Sequence, residues 1–319
     1  MESSRRIFLK TTALAGVSYA ISGASGQAAN LAQLPRRRFG RHEDELSIIG
    51  FGGIVVRDAD PADAAHRVAE AFEKGVNYYD VAPSYGDAEV KLGPALAPYR
   101  KQSFLACKTG KRDRAGAEQE FQQSLQHLQT DYFDLYQLHA ITDVARDVDA
   151  SFAPGGVMEF LIEAKKQGRV RYLGFSAHSI EAARAALDRY PFDSILFPVN
   201  FASYVADDFG PQVLKLAEEK GAARLALKAL ARQSWPKDDP LREEYRKCWY
   251  QPLTDPRQAA LALRFTLNKP VTAAIPPGDE RLFRLAVDLA LKDIQPLDTN
   301  EEKELYALID GLNPIFRKV

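Results

Sequence analysis

Cysteine is nearly absent from this 319-residue sequence, which holds only Cys107 and Cys248. Two thiols cannot build a disulfide framework, and no Cys/His cluster has metal-site spacing, so no metal is expected. A bridge between the two stays open. An excess of either charge is missing as well: 42 Lys and Arg stand against 43 Asp and Glu. Without a basic surplus there is little to neutralise a phosphate backbone, which argues against nucleic acid as a partner. No run of about 20 apolar residues occurs, which argues against stable membrane insertion. What remains is the balance of a globular chain with a large core, 46% hydrophobic and 27% charged residues.

The first 29 residues stand apart. Ser4-Arg5-Arg6-Ile7-Phe8-Leu9-Lys10 precedes a mild apolar run from Thr11 to Ile21, followed by small residues up to Ala28-Ala29. A basic start, a weak apolar stretch and a small-residue end resemble a twin-arginine signal peptide. That resemblance implies the twin-arginine translocation machinery as a partner, cleavage near Ala28 and a periplasmic location. Residues 35–319 are left for one folded domain.

From Arg36 onward, short apolar runs alternate with amphipathic segments. Arg36–Leu46 reads as a hairpin with a polar turn at His42-Glu43-Asp44. Eight strand–helix units follow, with strands expected at 47–52, 76–80, 103–108, 133–139, 170–176, 194–199, 224–229 and 271–275. The helix expected over Pro61–Lys74 shows the local logic: Asp60 suits the N-cap, Pro61 the first turn and Gly75 the end. The strands are continuous apolar runs, as parallel strands covered on both faces should be. Eight such units predict an α/β fold, a (β/α)₈ TIM barrel, with an N-terminal β-hairpin and an extra C-terminal helix at 300–312. An open doubly wound sheet would want G-x-G-x-x-G after the first strand, and Gly50-Phe51-Gly52-Gly53 lacks that spacing. Two long loops, 140–154 and 230–255, are left over; the second carries Trp235, Trp249 and Tyr250.

Barrel enzymes keep their chemistry at the C-terminal ends of the strands. Here those ends carry Asp80 with Tyr85 in its loop, then Lys108, then His139, and further round Ser176. A carbonyl that gains a hydrogen at carbon needs a proton at oxygen. Tyr85 is a poor acid with an ordinary pKa of about 10, and a neighbouring ammonium would lower it. Lys108 is the expected ammonium, Asp80 its anchor, and His139 the group that orients the carbonyl oxygen. Acid catalysis of this kind contributes roughly 10²–10⁴-fold. A cofactor must supply the hydrogen, because no side chain does. Taken singly, each residue has an ordinary reading as a cap, a packed aromatic, a surface charge or a core histidine; together at successive strand ends they point to a site.

Asn77-Tyr78-Tyr79-Asp80-Val81-Ala82-Pro83-Ser84-Tyr85-Gly86-Asp87-Ala88-Glu89, with Gly93 beyond, is similar to the signature of the aldo-keto reductase family. Asp131-Tyr132-Phe133-Asp134-Leu135-Tyr136-Gln137-Leu138-His139 and Gly174-Phe175-Ser176 resemble it too. The resemblance implies an NADP(H)-dependent oxidoreductase, with NAD(H) as the other cofactor to consider, acting on a small-molecule carbonyl or alcohol through Asp80, Tyr85, Lys108 and His139. It implies Ser176 as the nicotinamide carboxamide contact and Gly278 in the phosphate loop after the last strand. Arg284, with Arg281, falls where some members meet the adenosine 2′-phosphate. Ala177, Leu196 and Leu227 replace the family's usual Asn, Gln and stacking aromatic, and Asn200 and Lys228 are nearby polar substitutes. An alternative is a non-catalytic NADP(H)-binding or redox-sensing module on the same fold.

Overall fold

The computed structural model describes residues 33–317, so the twin-arginine segment lies outside the described residues. Eight parallel strands pair in sequence order: Phe51–Gly52, Tyr78–Asp80, Phe104–Thr109, Phe133–Ile141, Val170–Ala177, Ser194–Pro198, Ala223–Leu227 and Ala273–Ile275. The ring closes at a parallel bridge between Ile49 and Ala274, where Gly50 N–H donates to Ala274 O at 2.9 Å and Ala274 N–H to Ile48 O at 2.8 Å. This is the (β/α)₈ barrel. Its register sets Asp80 beside Ala106 and Lys108 beside Gln137, so polar residues of adjacent strands share a level near the C-terminal rim.

The barrel interior is a cluster of its own. Tyr78, Phe104, Leu135, Leu196 and Leu225 meet there with Phe39 and Leu46 of the N-terminal hairpin. That hairpin pairs Arg36–Arg38 with Glu45–Ser47 and stacks Phe39 5.0 Å from Phe104 and 5.2 Å from Tyr172. It plugs one end, leaving the other for a site. A larger core fills the space between strands and helices. Its helices are amphipathic: Pro61–Glu73 buries Ala64, Val68 and Ala71.

Several boundaries differ from expectation for local reasons. The third helix begins at Arg114 because the Asp113 carboxylate accepts from Gly116 N–H at 2.7 Å. The segment after the sixth strand holds two helices, Phe201–Ala206 and Pro211–Glu219. Gly210, at φ 121°, breaks the chain, and Pro211 starts the second piece. Loop 230–255 is an antiparallel pair, Ala231–Gln233 with Gln251–Pro252, around a short helix, Leu241–Glu244. Loop 140–154 winds into a wide π turn at Val144–Asp149. The last helix, Thr299–Ala307, ends early, and the chain returns to the rim, where Ser234 N–H donates to Asn313 O at 3.0 Å. Cys107 and Cys248 are both buried and free. Among the described residues, no helix is long and apolar enough to cross a membrane.

Candidate active site

Lys108 is completely buried, and an ammonium held there without compensation would cost several kcal/mol. Its compensation is Asp80, whose Oδ1 it binds directly, with Val81 O at 3.4 Å as a second acceptor. The other carboxylate oxygen of Asp80 accepts from the Tyr78 hydroxyl at 3.1 Å. Tyr78 was not singled out from sequence, where it reads as one more apolar strand residue.

Tyr85 is fixed by a tight turn: its N–H donates to Ala82 O at 3.0 Å, and Gly86 follows at φ 65°, a conformation that suits glycine. Its ring lies 5.9 Å from Lys108 Nζ and meets His139 edge-on, with centroids 5.6 Å apart. Its hydroxyl has no hydrogen-bond partner among the described residues and lines a cavity with Asp80. The expected acidification by Lys108 is not present in this state. Burial first, then the negative charge of Asp80, holds the Tyr85 phenol well above its ordinary value. Tyr85 thus keeps its proton in this state.

His139 has Nδ1 3.4 Å from Ser84 Oγ. Burial, reinforced by Lys108, His178, Arg112 and Lys228, pushes its pKa down to about 3, so the ring is neutral. Arg112 also went unnoticed in the sequence. It donates to His139 O at 2.8 Å and pairs with Asp147 at 3.1 Å, tying the third strand's loop to the long fourth one. The run Lys111-Arg112-Asp113 just past a strand end was the available signal.

The remaining site residues divide. Ser176 is buried, and its hydroxyl accepts from Ala140 N–H at 2.7 Å, leaving its own hydrogen free to donate. Gly278 lines the cavity, and a side chain there would strike Ile54. Lys228 and Leu227 line the same cavity, whose volume is about 70 Å³. Asn200 does not reach it. Both ends of its buried amide are occupied: Oδ1 accepts from Ala202 and Ser203 N–H, and Nδ2 donates to Lys228 O and Ala231 O. It is a helix cap and a clamp, which corrects the expectation of a cofactor contact. Arg281 is held by Asp279 at 2.9 Å and Glu244 at 2.7 Å, and Arg284 by Glu70 at 2.9 Å. Neither arginine stands free as expected for a phosphate contact. Lys247 is a cavity residue that sequence reasoning missed, hidden in an irregular loop.

A neutral histidine, a protonated phenol and a buried Asp–Lys pair at the rim of a (β/α)₈ barrel define an acid–base site of the oxidoreductase kind. A model of the Aldo/keto reductase family matches residues 48–250, and the chain belongs to that family. It is similar to the uncharacterized oxidoreductase YqkF of Bacillus subtilis, at 24% identity over 85% of this chain and 95% of that one. It is also similar to L-galactose dehydrogenase of Arabidopsis thaliana, at 28% identity over 67% of this chain and 72% of that one. In structure it resembles the holo form of aldo-keto reductase AKR11C1 from Bacillus halodurans, with a TM-score of 0.68 and 24% identity over 89% of this chain and 99% of that one, a likeness of fold.

Proposed function

We propose that the protein transfers hydrogen between a nicotinamide cofactor and an aldehyde, ketone or alcohol, with Tyr85 as the general acid and base. The observation that carries this reading is the unpartnered Tyr85 hydroxyl, opening into the same cavity as Asp80 and set edge-on to a neutral His139. A carbonyl oxygen placed between the two rings takes a hydrogen bond from the imidazole N–H. It then takes the phenol's proton as charge builds on it. Lys108 stabilises the phenolate left behind, and Asp80, steadied by Tyr78, keeps Lys108 in place.

The residues present fit a nicotinamide dinucleotide in part. Ser176 offers a free donor for the carboxamide, and Leu227 gives an apolar wall where an aromatic was absent. Pro276, Pro277 and Gly278 lead to the helix at Glu280, whose first N–H groups, with the Lys247 ammonium, favour a diphosphate. When bound, the nicotinamide supplies or takes up the hydrogen that no side chain can. NADP(H) is the proposed form, with NAD(H) the competitor. Its 2′-phosphate must displace Glu244 from Arg281 and Glu70 from Arg284.

Consumption of NADPH and NADH against an aldehyde panel, compared with Tyr85→Phe, tests the reading. A loss of about 10²–10⁴-fold in kcat with unchanged cofactor affinity is expected. Equal rates in both proteins would favour a non-catalytic binding or redox-sensing module. We further propose export by the twin-arginine machinery through residues 1–29, with a periplasmic destination. Replacing Arg5 and Arg6 by lysine should hold the chain in the cytoplasm; unchanged fractionation would refute export.

A further inference from the structure

Among the described residues, the charges at the barrel mouth are paired off except for two lysines, Lys247 and Lys228. Lys108 is matched by Asp80 and Arg112 by Asp147. Lys247 donates to Val55 O at 3.2 Å and also lines the adjoining depression that holds Asp279 and Arg281, on the side proposed for the cofactor's phosphates. Lys228 has no carboxylate partner among the described residues. Its ammonium rests on two aromatic faces, 4.9 Å from the Trp249 ring centroid and 4.8 Å from that of Tyr250.

The backbone goes out of its way to put it there. Lys228 has φ 69°, in the left-handed region that a residue with a side chain seldom occupies. The turn is forced by Asn200, whose Nδ2 donates to Lys228 O at 3.1 Å and to Ala231 O at 2.5 Å, and by Ala231 N–H, which donates to Lys228 O at 3.0 Å. Strain maintained by buried hydrogen bonds at a cavity wall is the kind that function retains. The charge lies near His139 and His178, where it adds to burial in disfavouring the protonated rings. Trp249 is 57% exposed although it lies beside this cavity, and Phe316 of the returning C-terminal segment stands 6.3 Å from Trp249 and 5.2 Å from His178. The mouth next to Lys228 is therefore walled by rings. A half-buried cation seated on two aromatic faces, with no carboxylate partner among the described residues, is suited to an anion that arrives with a ligand.

We propose that Lys228, seated on Trp249 and Tyr250, is a specificity-determining residue that binds the acid group, carboxylate or phosphate, of an anionic carbonyl substrate. This rests on the reductase reading above and names its substrate class. The cofactor's diphosphate carries the same chemistry, and the experiment separates the two sources. Steady-state kinetics are measured with 4-carboxybenzaldehyde and with benzaldehyde, and cofactor affinity by titration, for the wild type, Lys228→Met and Lys228→Arg. Lys228→Met keeps an apolar stem over the rings, and Lys228→Arg keeps the charge.

The expected result in Lys228→Met is a loss of about 10–100-fold in the preference for the carboxylated aldehyde, the ratio of its kcat/KM to that of benzaldehyde, as for a lost charge-assisted contact. Cofactor affinity should not account for that change, because it bears on both aldehydes alike, and Lys228→Arg should restore most of the preference. An equal loss for both aldehydes overturns the proposal. So does a fall in cofactor affinity that accounts for the loss, which would assign the ammonium to the cofactor's diphosphate. Should the wild type turn over neither aldehyde, the reductase reading fails by itself. Tryptophan fluorescence then decides on Lys228: quenching by 4-carboxybenzaldehyde that is absent in Lys228→Met supports the anion site, and quenching that persists overturns it.

Discussion

The two halves of the barrel mouth are built on different terms. On the side of the second to fourth strands, the charged groups are matched within the same side: Asp80 by Lys108 and Tyr78, and Arg112 by Asp147 and His139 O. The Tyr85 hydroxyl and the His139 ring edge are left for a substrate, and Gln137 keeps a buried amide without a partner among the described residues. On the side of the fifth to eighth strands, Lys228 and Lys247 face the cavity without carboxylates, while the two arginines expected to hold phosphate are already claimed by Glu244, Asp279 and Glu70. The difference teaches that residue type at a strand end identifies a self-contained acid–base set. A binding surface is decided instead by which charges the fold leaves unpaired.

The comparison can be broken most forcefully at its most buried point. Lys108→Met removes one partner of a buried pair and leaves the Asp80 carboxylate with Tyr78 alone. A loss of about 3–5 kcal/mol is expected in denaturant unfolding, together with activity. A stable, active variant would show that the two halves do not differ in this way. Asn200→Ala tests the other side through its scaffold. Loss of the cap costs about 1–2 kcal/mol, read as a lower Tm. Cofactor affinity should fall only if the Lys228 turn supports it.

A smaller effect is expected from pH. His139 titrates at about 3 and His178 at about 4 in the folded chain, both because burial disfavours the charged ring, against 6.5 for an ordinary histidine. As pH falls from about 6.5, the unfolded chain takes up protons that the folded chain refuses, so stability drops across that window. Thermal melts at pH 7 and pH 5 should show a smaller loss for His139→Asn than for the wild type. The smallest effect is at the rim. Glu70→Gln releases Arg284 from a partly exposed pair and should raise NADP(H) affinity about two- to fivefold over NAD(H), measured by titration. No change would remove Arg284 from the cofactor site.

Much of the fold was legible because parallel strands buried on both faces are plain apolar runs, and Asp60-Pro61 marks a helix start. The candidate acid–base set stood out because few residue types can serve as a proton donor beside an ammonium, and the structure brings Asp80, Lys108, Tyr85 and His139 close together. Parts of the recognisable motif turn out to hold architecture. Gly93 lets its helix approach the backbone at Leu128, and Asp134 binds Arg100, Arg171 and Leu105 N–H. Asn200, Arg281 and Arg284 were misread as ready contacts because a sequence shows a polar side chain but not the distant partner that occupies it. Their partners lie as far away as Glu70 for Arg284. The sign of the shift at Tyr85 was hidden as well, since it depends first on burial and then on the Asp80 charge.

The account turns on where the nicotinamide lies relative to the Tyr85 hydroxyl. A crystal structure of the protein with NADP⁺ soaked in measures this directly. The ring should sit against Leu227 in the cavity that Tyr85 opens into, with its carboxamide on Ser176. A nucleotide bound elsewhere, or a ring kept out of that cavity with the Tyr85 hydroxyl turned away, would contradict it.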